Sequence, residues 1–84
     1  MNNTDNIIVP VHPGKTLQDF LKHKSISREK LSIEIGITPQ KINQIINGKR
    51  NISPETAIAF ADFFKTTPEF WTDLQTKFDL ALAY

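Results

Sequence analysis

Apolar residues recur at helical spacing in five separate stretches of this chain, and a helix-capping residue opens each stretch after the first. Pro13 stands at the start of the first, which is expected to run to about Lys24 with Leu17, Phe20 and Leu21 at i, i+3, i+4. Ser27 fits the N-cap of the second, Glu29 falls in its first turn, and Gly36 closes it. Thr38-Pro39 opens the third, with Ile42 and Ile45 inward, Ile46 beside them, and Gly48 at its end. Ser53-Pro54-Glu55 opens the fourth, expected to bury Ala57, Ile58, Phe60, Ala61 and Phe64. Thr67-Pro68-Glu69 opens the fifth, which carries the stripe Phe70, Trp71, Leu74, Phe78, Ala81 and Leu82. The longest strand-like alternation, Ile7 to Val11, is interrupted by Pro10. The pattern predicts an all-α domain over 12–84, preceded by an extended segment over 1–11.

Within that pattern, residues 28–47, REKLSIEIGITPQKINQIIN, read as two short helices around a glycine turn. Leu31, Ile35, Ile37, Ile42 and Ile45 form the set to be buried, and Ser32 is small enough for a helix crossing. That is the layout of a helix-turn-helix, whose second helix is presented to a DNA major groove. Steps of about 100° per residue put Gln40, Asn43, Gln44 and Asn47 on the face opposite Ile42, with Lys41 on the flank. Amides pair bidentately with adenine N6/N7, and a lysine donates to guanine O6/N7. Gln40, Lys41, Asn43 and Gln44, with Thr38 at the helix start, are therefore the base-reading candidates. Ser27, Arg28, Asn47, Lys49 and Arg50 flank the helix and are the phosphate-contact candidates.

Composition sharpens this reading. A chain of 84 residues with 39% hydrophobic content supports one small core. The absence of cysteine removes disulfides and Cys-based metal or redox sites, and no metal spacing or phosphate loop is present. No transmembrane run or signal peptide is evident, so the chain is expected to be soluble and cytoplasmic. The net charge of +1 conceals an asymmetry: residues 1–50 carry +4 and residues 51–84 carry −3. The basic half holds the helix-turn-helix, as an electrostatic footprint on phosphate requires.

One reading helix covers few base pairs, so specificity normally needs two copies on paired half-sites. The last helix offers a surface for pairing, and Phe63, Phe78, Leu82 and Tyr84 are the dimer-interface candidates. Trp71 is assigned to the core.

The run from Val11 to Leu82 also resembles the HigA-type antitoxins, within the Xre/Cro-like (lambda-repressor-like) helix-turn-helix group. The matching pieces are VHPGKTLQDFL, the helix-turn-helix, NGKRNISPETA and TPEFWTDLQTKFDL. The last is the most specific, with Pro-Glu-Phe-Trp followed by Leu-Gln and Phe-Asp-Leu. The resemblance implies a five-helix domain and an antitoxin that neutralises a HigB-like toxin, a ribosome-dependent messenger-RNA endonuclease. It also implies a dimer that represses its own operon on double-stranded operator DNA. Two positions depart from the group: Arg28 stands where Gln is frequent, favouring phosphate over base contact, and Ser32 stands where Ala is frequent. Ile7, Ile8 and Val9, in an apolar extended segment, and Ile33, on the outer face of the second helix, are the candidates for toxin contact.

No catalytic constellation is expected, and no cofactor. His12 and His23 lie near opposite ends of the first helix without a carboxylate cluster, and Asp73 and Asp79 fall on different faces of the last. The alternatives are a stand-alone repressor of the Cro/Xre type with no toxin partner, and a helix-turn-helix used only for protein contact.

Overall fold

A computed structural model describes residues 9–84. It contains five α-helices: α1 Pro13–Lys24, α2 Arg28–Ile35, α3 Pro39–Ile46, α4 Pro54–Phe64 and α5 Pro68–Ala83. The described residues contain no strand, and residues 9–12 run without regular structure into α1. No described helix is long and apolar enough to cross a membrane. The all-α, five-helix expectation is met.

Helix boundaries follow local chemistry. Ser27, Thr38, Ser53 and Thr67 are N-caps whose side-chain oxygens accept from the backbone N–H three residues on. His12 plays the same part for α1 through Nδ1, which accepts from Gly14 N at 2.9 Å. Proline follows the cap of α1, α3, α4 and α5, where its missing N–H costs nothing. At the other ends the chain turns left-handed, at Gly36 and Gly48 but also at Ser25 (φ 54°) and Lys65 (φ 61°).

The core is formed by Leu17 and Leu21 of α1, Leu31 of α2, Ile42 and Ile45 of α3, Ile52 of the following loop, Ala57, Phe60, Ala61 and Phe64 of α4, and Trp71 of α5. Phe20, Phe60, Phe64 and Phe70 surround Trp71 at centroid separations of 5.1–5.8 Å, mostly edge-on. The Trp71 indole N–H donates to Thr66 Oγ1 at 2.9 Å, so the core assignment of this residue holds with its polar atom satisfied.

Several expectations about burial need correction. Ile58, expected inside, is 58% exposed. The inward face of α4 is Ala57, Phe60, Ala61 and Phe64, and one residue past Ala57 is about 100° off that face. Ile35 and Ile37 are only partly buried against the core. Phe63, a dimer-interface candidate, is half-buried and edge-on to Phe64 at 5.0 Å. In α5 the apolar stripe includes a buried polar residue, Gln75, while Leu82 is 63% exposed.

The backbones of α1 and α3 approach closely at Gly14. A Cβ on Gly14 would stand 1.8 Å from the carbonyl oxygen of Ile45. Only glycine permits that backbone-to-backbone approach. Glycine costs about 1 kcal/mol against alanine within a helix, and this crossing is the reason it stands there.

Candidate nucleic-acid interface

The helix-turn-helix is assembled from few apolar anchors. α2 buries only Leu31, and α3 buries Ile42 and Ile45. Gly36, at φ 71°, ends α2, with its N–H donating to Ser32 O at 2.9 Å. The Ser32 hydroxyl then donates to Ile37 O across the turn. These bonds fix the angle at which α3 leaves α2, and Gly14 fixes how closely α3 lies on α1.

With Ile42 and Ile45 sealed inside, the other face of α3 is directed outward. Gln40, Lys41 and Asn47 are exposed, and Asn43 and Gln44 are half-buried. The structure thus brings together four of the five base-reading candidates on one face. Thr38 is the exposed N-cap, its Oγ1 accepting from Lys41 N at 3.2 Å. Ser27 has the equivalent task in α2, accepting from Lys30 N at 3.0 Å.

The positive charges gather around this face. α3 ends in a Schellman arrangement, with Gly48 N bonded to Ile45 O and Lys49 N to Gln44 O at 3.0 and 2.7 Å. That reversal carries Lys49 and Arg50, both exposed, past the C-terminal end of α3. Arg50 Nε donates to Gln44 Oε1 at 2.8 Å, which places its guanidinium beside the reading face. Arg28, at the start of α2, reaches across to α3 and donates from Nη1 to Asn43 Oδ1 at 2.7 Å. Neither arginine–amide pair was apparent from the sequence, because the partners are 15 and 6 residues apart.

The loop that carries Lys49 and Arg50 is tied down from below. Gln75 of α5 accepts from Ile52 N at 2.7 Å and donates from Nε2 to Asp79 Oδ1 at 3.0 Å. A buried amide in an apolar stripe signals such a tether, and the stripe alone did not reveal it.

The other candidates are more dispersed. Phe63 lines a shallow cleft with Glu34, Ile35 and Ala59, whereas Phe78 lies edge-on to His12 at 4.9 Å, in a cleft with Val9, Pro10 and Val11. The four dimer candidates therefore do not share one cleft. Leu82 and Tyr84 are exposed at the end of α5. Val9 and Ile33 are 71% and 79% exposed, and Ile7 and Ile8 lie outside the described residues. Among the described residues there is no cluster of three or more His, Cys, Asp or Glu able to hold a metal.

Comparison with known proteins places this geometry in a family. The helix-turn-helix family model matches residues 17–71. A HigA-family addiction module antidote protein from Coxiella burnetii is 36% identical and superposes with a TM-score of 0.84, over 90% of this chain and 84% of that one. Antitoxin HigA of Pseudomonas aeruginosa, solved with the higBA promoter, is 35% identical with a TM-score of 0.86 and the same shares of the two chains. Virulence-associated protein I of Dichelobacter nodosus is 30% identical over 79 residues, which are 93% of this chain and 73% of that protein.

Proposed function

Since the chain belongs to the helix-turn-helix family, and to the HigA-type antitoxins within it, we propose that it represses its own operon and neutralises a cognate toxin. It would bind operator DNA as a dimer, and the toxin would be a HigB-like messenger-RNA endonuclease. The observation that carries the reading is the composition of α3's outward face. Gln40, Lys41, Asn43 and Gln44 are held there without a carboxylate among them, and Arg28, Lys49 and Arg50 stand around them. Similarity to a HigA solved with promoter DNA supports the same docking for this helix.

In this account α3 enters the major groove, Gln40, Lys41, Asn43 and Gln44 meet base edges, and Thr38 lies at the entering end. Ser27, Arg28, Asn47, Lys49 and Arg50 contact phosphates on either side. A dimer forms through the C-terminal half of α5, where Phe78, Leu82 and Tyr84 provide the apolar surface, with Phe63 at its margin. Toxin binds elsewhere, through the N-terminal segment containing Ile7, Ile8 and Val9 and through exposed Ile33, leaving the reading face free.

The test has two parts. Gln44→Ala should cost about 1–3 kcal/mol on the cognate operator and relax preference at one base pair, while barely changing affinity for random DNA. Equal losses on both would refute base reading. Co-expression with the neighbouring reading frame, followed by mass measurement of the purified complex, should recover a toxin–antitoxin assembly. A dimer that footprints the operator but retains no partner would indicate a stand-alone repressor instead.

A further inference from the structure

One side-chain bond ties the start of α2 to the middle of α3. Arg28 Nη1 donates to Asn43 Oδ1 at 2.7 Å, and both side chains are half-buried. The comparable bond from Arg50 Nε to Gln44 Oε1, at 2.8 Å, is exposed, and water competes for it. A guanidinium carries donors and no acceptor, so only the oxygen end of the Asn43 amide can face Arg28. The bond is charge-assisted, and the helices it joins are already set at one angle by the Gly36 turn and the Ser32 hydroxyl. Arg28 thereby fixes the direction of the amide and which of its ends points where. The oxygen keeps a second lone pair and the NH2 group keeps both protons, so Asn43 still offers a donor beside an acceptor. Arg28 uses one of its five N–H donors in this bond, and the rest remain for a phosphate.

We infer that Arg28 is a positioning residue for Asn43, so that a single side chain couples phosphate contact to base reading. The inference rests on the proposed base-reading role of α3. A side chain that rotates freely loses that freedom on meeting a base edge, and the loss is subtracted from binding to the correct sequence. An amide already held in place avoids the loss. On random DNA, where phosphate contacts carry the binding, holding the amide gains nothing. Arg28 therefore acts twice. Its charge strengthens binding to every duplex, and its bond to Asn43 widens the gap between preferred and random sequence.

A double-mutant cycle with the full chain tests this. A duplex selected from a random library by wild type, and a scrambled duplex, are each titrated with wild type, Arg28→Met, Asn43→Ala and the chain carrying both substitutions. Arg28 lies outside the core, so these variants should keep the fold. Asn43→Ala should lower the selected-to-scrambled affinity ratio by roughly tenfold. Arg28→Met should weaken binding to both duplexes and also lower the ratio, by about two- to tenfold. In the Asn43→Ala background the same substitution should weaken both duplexes equally and leave the ratio unchanged. A ratio untouched by Arg28→Met makes Arg28 a phosphate contact alone. A ratio lowered by the same factor with and without Asn43 means that Arg28 acts by another route. Either result overturns the inference while base reading stands. A ratio unchanged by Asn43→Ala refutes base reading by Asn43, and the inference with it. The side-chain NH2 resonances of Asn43 in the free protein supply a readout without DNA. They should move in Arg28→Met, and resonances that stay in place refute the pair itself.

Discussion

The α4–α5 hairpin and the α2–α3 unit are held together by different means. The hairpin is aromatic: Phe60, Phe64 and Trp71 are buried, and Phe20, Phe63 and Phe70 close around them. The α2–α3 unit buries one leucine and two isoleucines, and its form depends on caps, the Gly36 turn, the Ser32 hydroxyl and contact with Gly14. Burial supplies stability in proportion to area removed from water, so the hairpin, with its large buried rings, contributes more of it than the α2–α3 unit. The consequence is functional. A unit that must keep one helical face free for a partner cannot surround that helix with core, and it borrows rigidity from backbone geometry instead.

The strongest way to break this contrast is Gly14→Ala. The added Cβ meets the backbone at Ile45 O, which has no flexible end to yield. A loss on the order of 3–5 kcal/mol is expected, read as a fall in urea midpoint, although the substitution improves helix propensity. A change within 1 kcal/mol would show that α3 is not seated by that crossing.

Gln75→Leu comes next. It swaps a buried amide for a side chain of similar size and leaves Ile52 N without its acceptor, at a cost of about 1–3 kcal/mol. Because the same bond anchors the loop bearing Lys49 and Arg50, affinity for random DNA should also fall. Reduced stability with unchanged DNA affinity would separate the tether from the phosphate contacts.

The smallest effect has the opposite sign. Lys65 ends α4 in the left-handed region at φ 61°, where a side chain costs about 1–2 kcal/mol. Lys65→Gly relieves that cost, offset by glycine's greater freedom when unfolded, and should stabilise the hairpin by about 1 kcal/mol. DNA binding should not change, since Lys65 lies on neither α2 nor α3.

What was legible in the sequence was what short-range chemistry dictates. The caps Ser27, Thr38, Ser53 and Thr67, the prolines behind Thr38, Ser53 and Thr67, and the turn at Gly36 could be read from neighbours, and the helices begin where they predict. The outward face of α3 followed from the 100° step alone. Long-range features were not legible. The close approach at Gly14 depends on how near α1 lies to α3, and Gln75 takes its partner from 23 residues away. Ile58 is as hydrophobic as its buried neighbours, but its angle around α4 does not match that of Ala57, Phe60 and Ala61, and it faces solvent. The Arg28–Asn43 pair required knowing that the start of α2 stands beside the middle of α3.

The most direct measurement of the central claim is a backbone-amide NMR titration of the full chain with the duplex upstream of its own gene. Shifts should concentrate at Arg28, along residues 38–47 and at Lys49 and Arg50. They should weaken as salt rises, because each neutralised phosphate contributes about −0.9 to the salt slope. A duplex that moved resonances of α4 or α5 while leaving α3 and its following loop undisturbed would contradict the account.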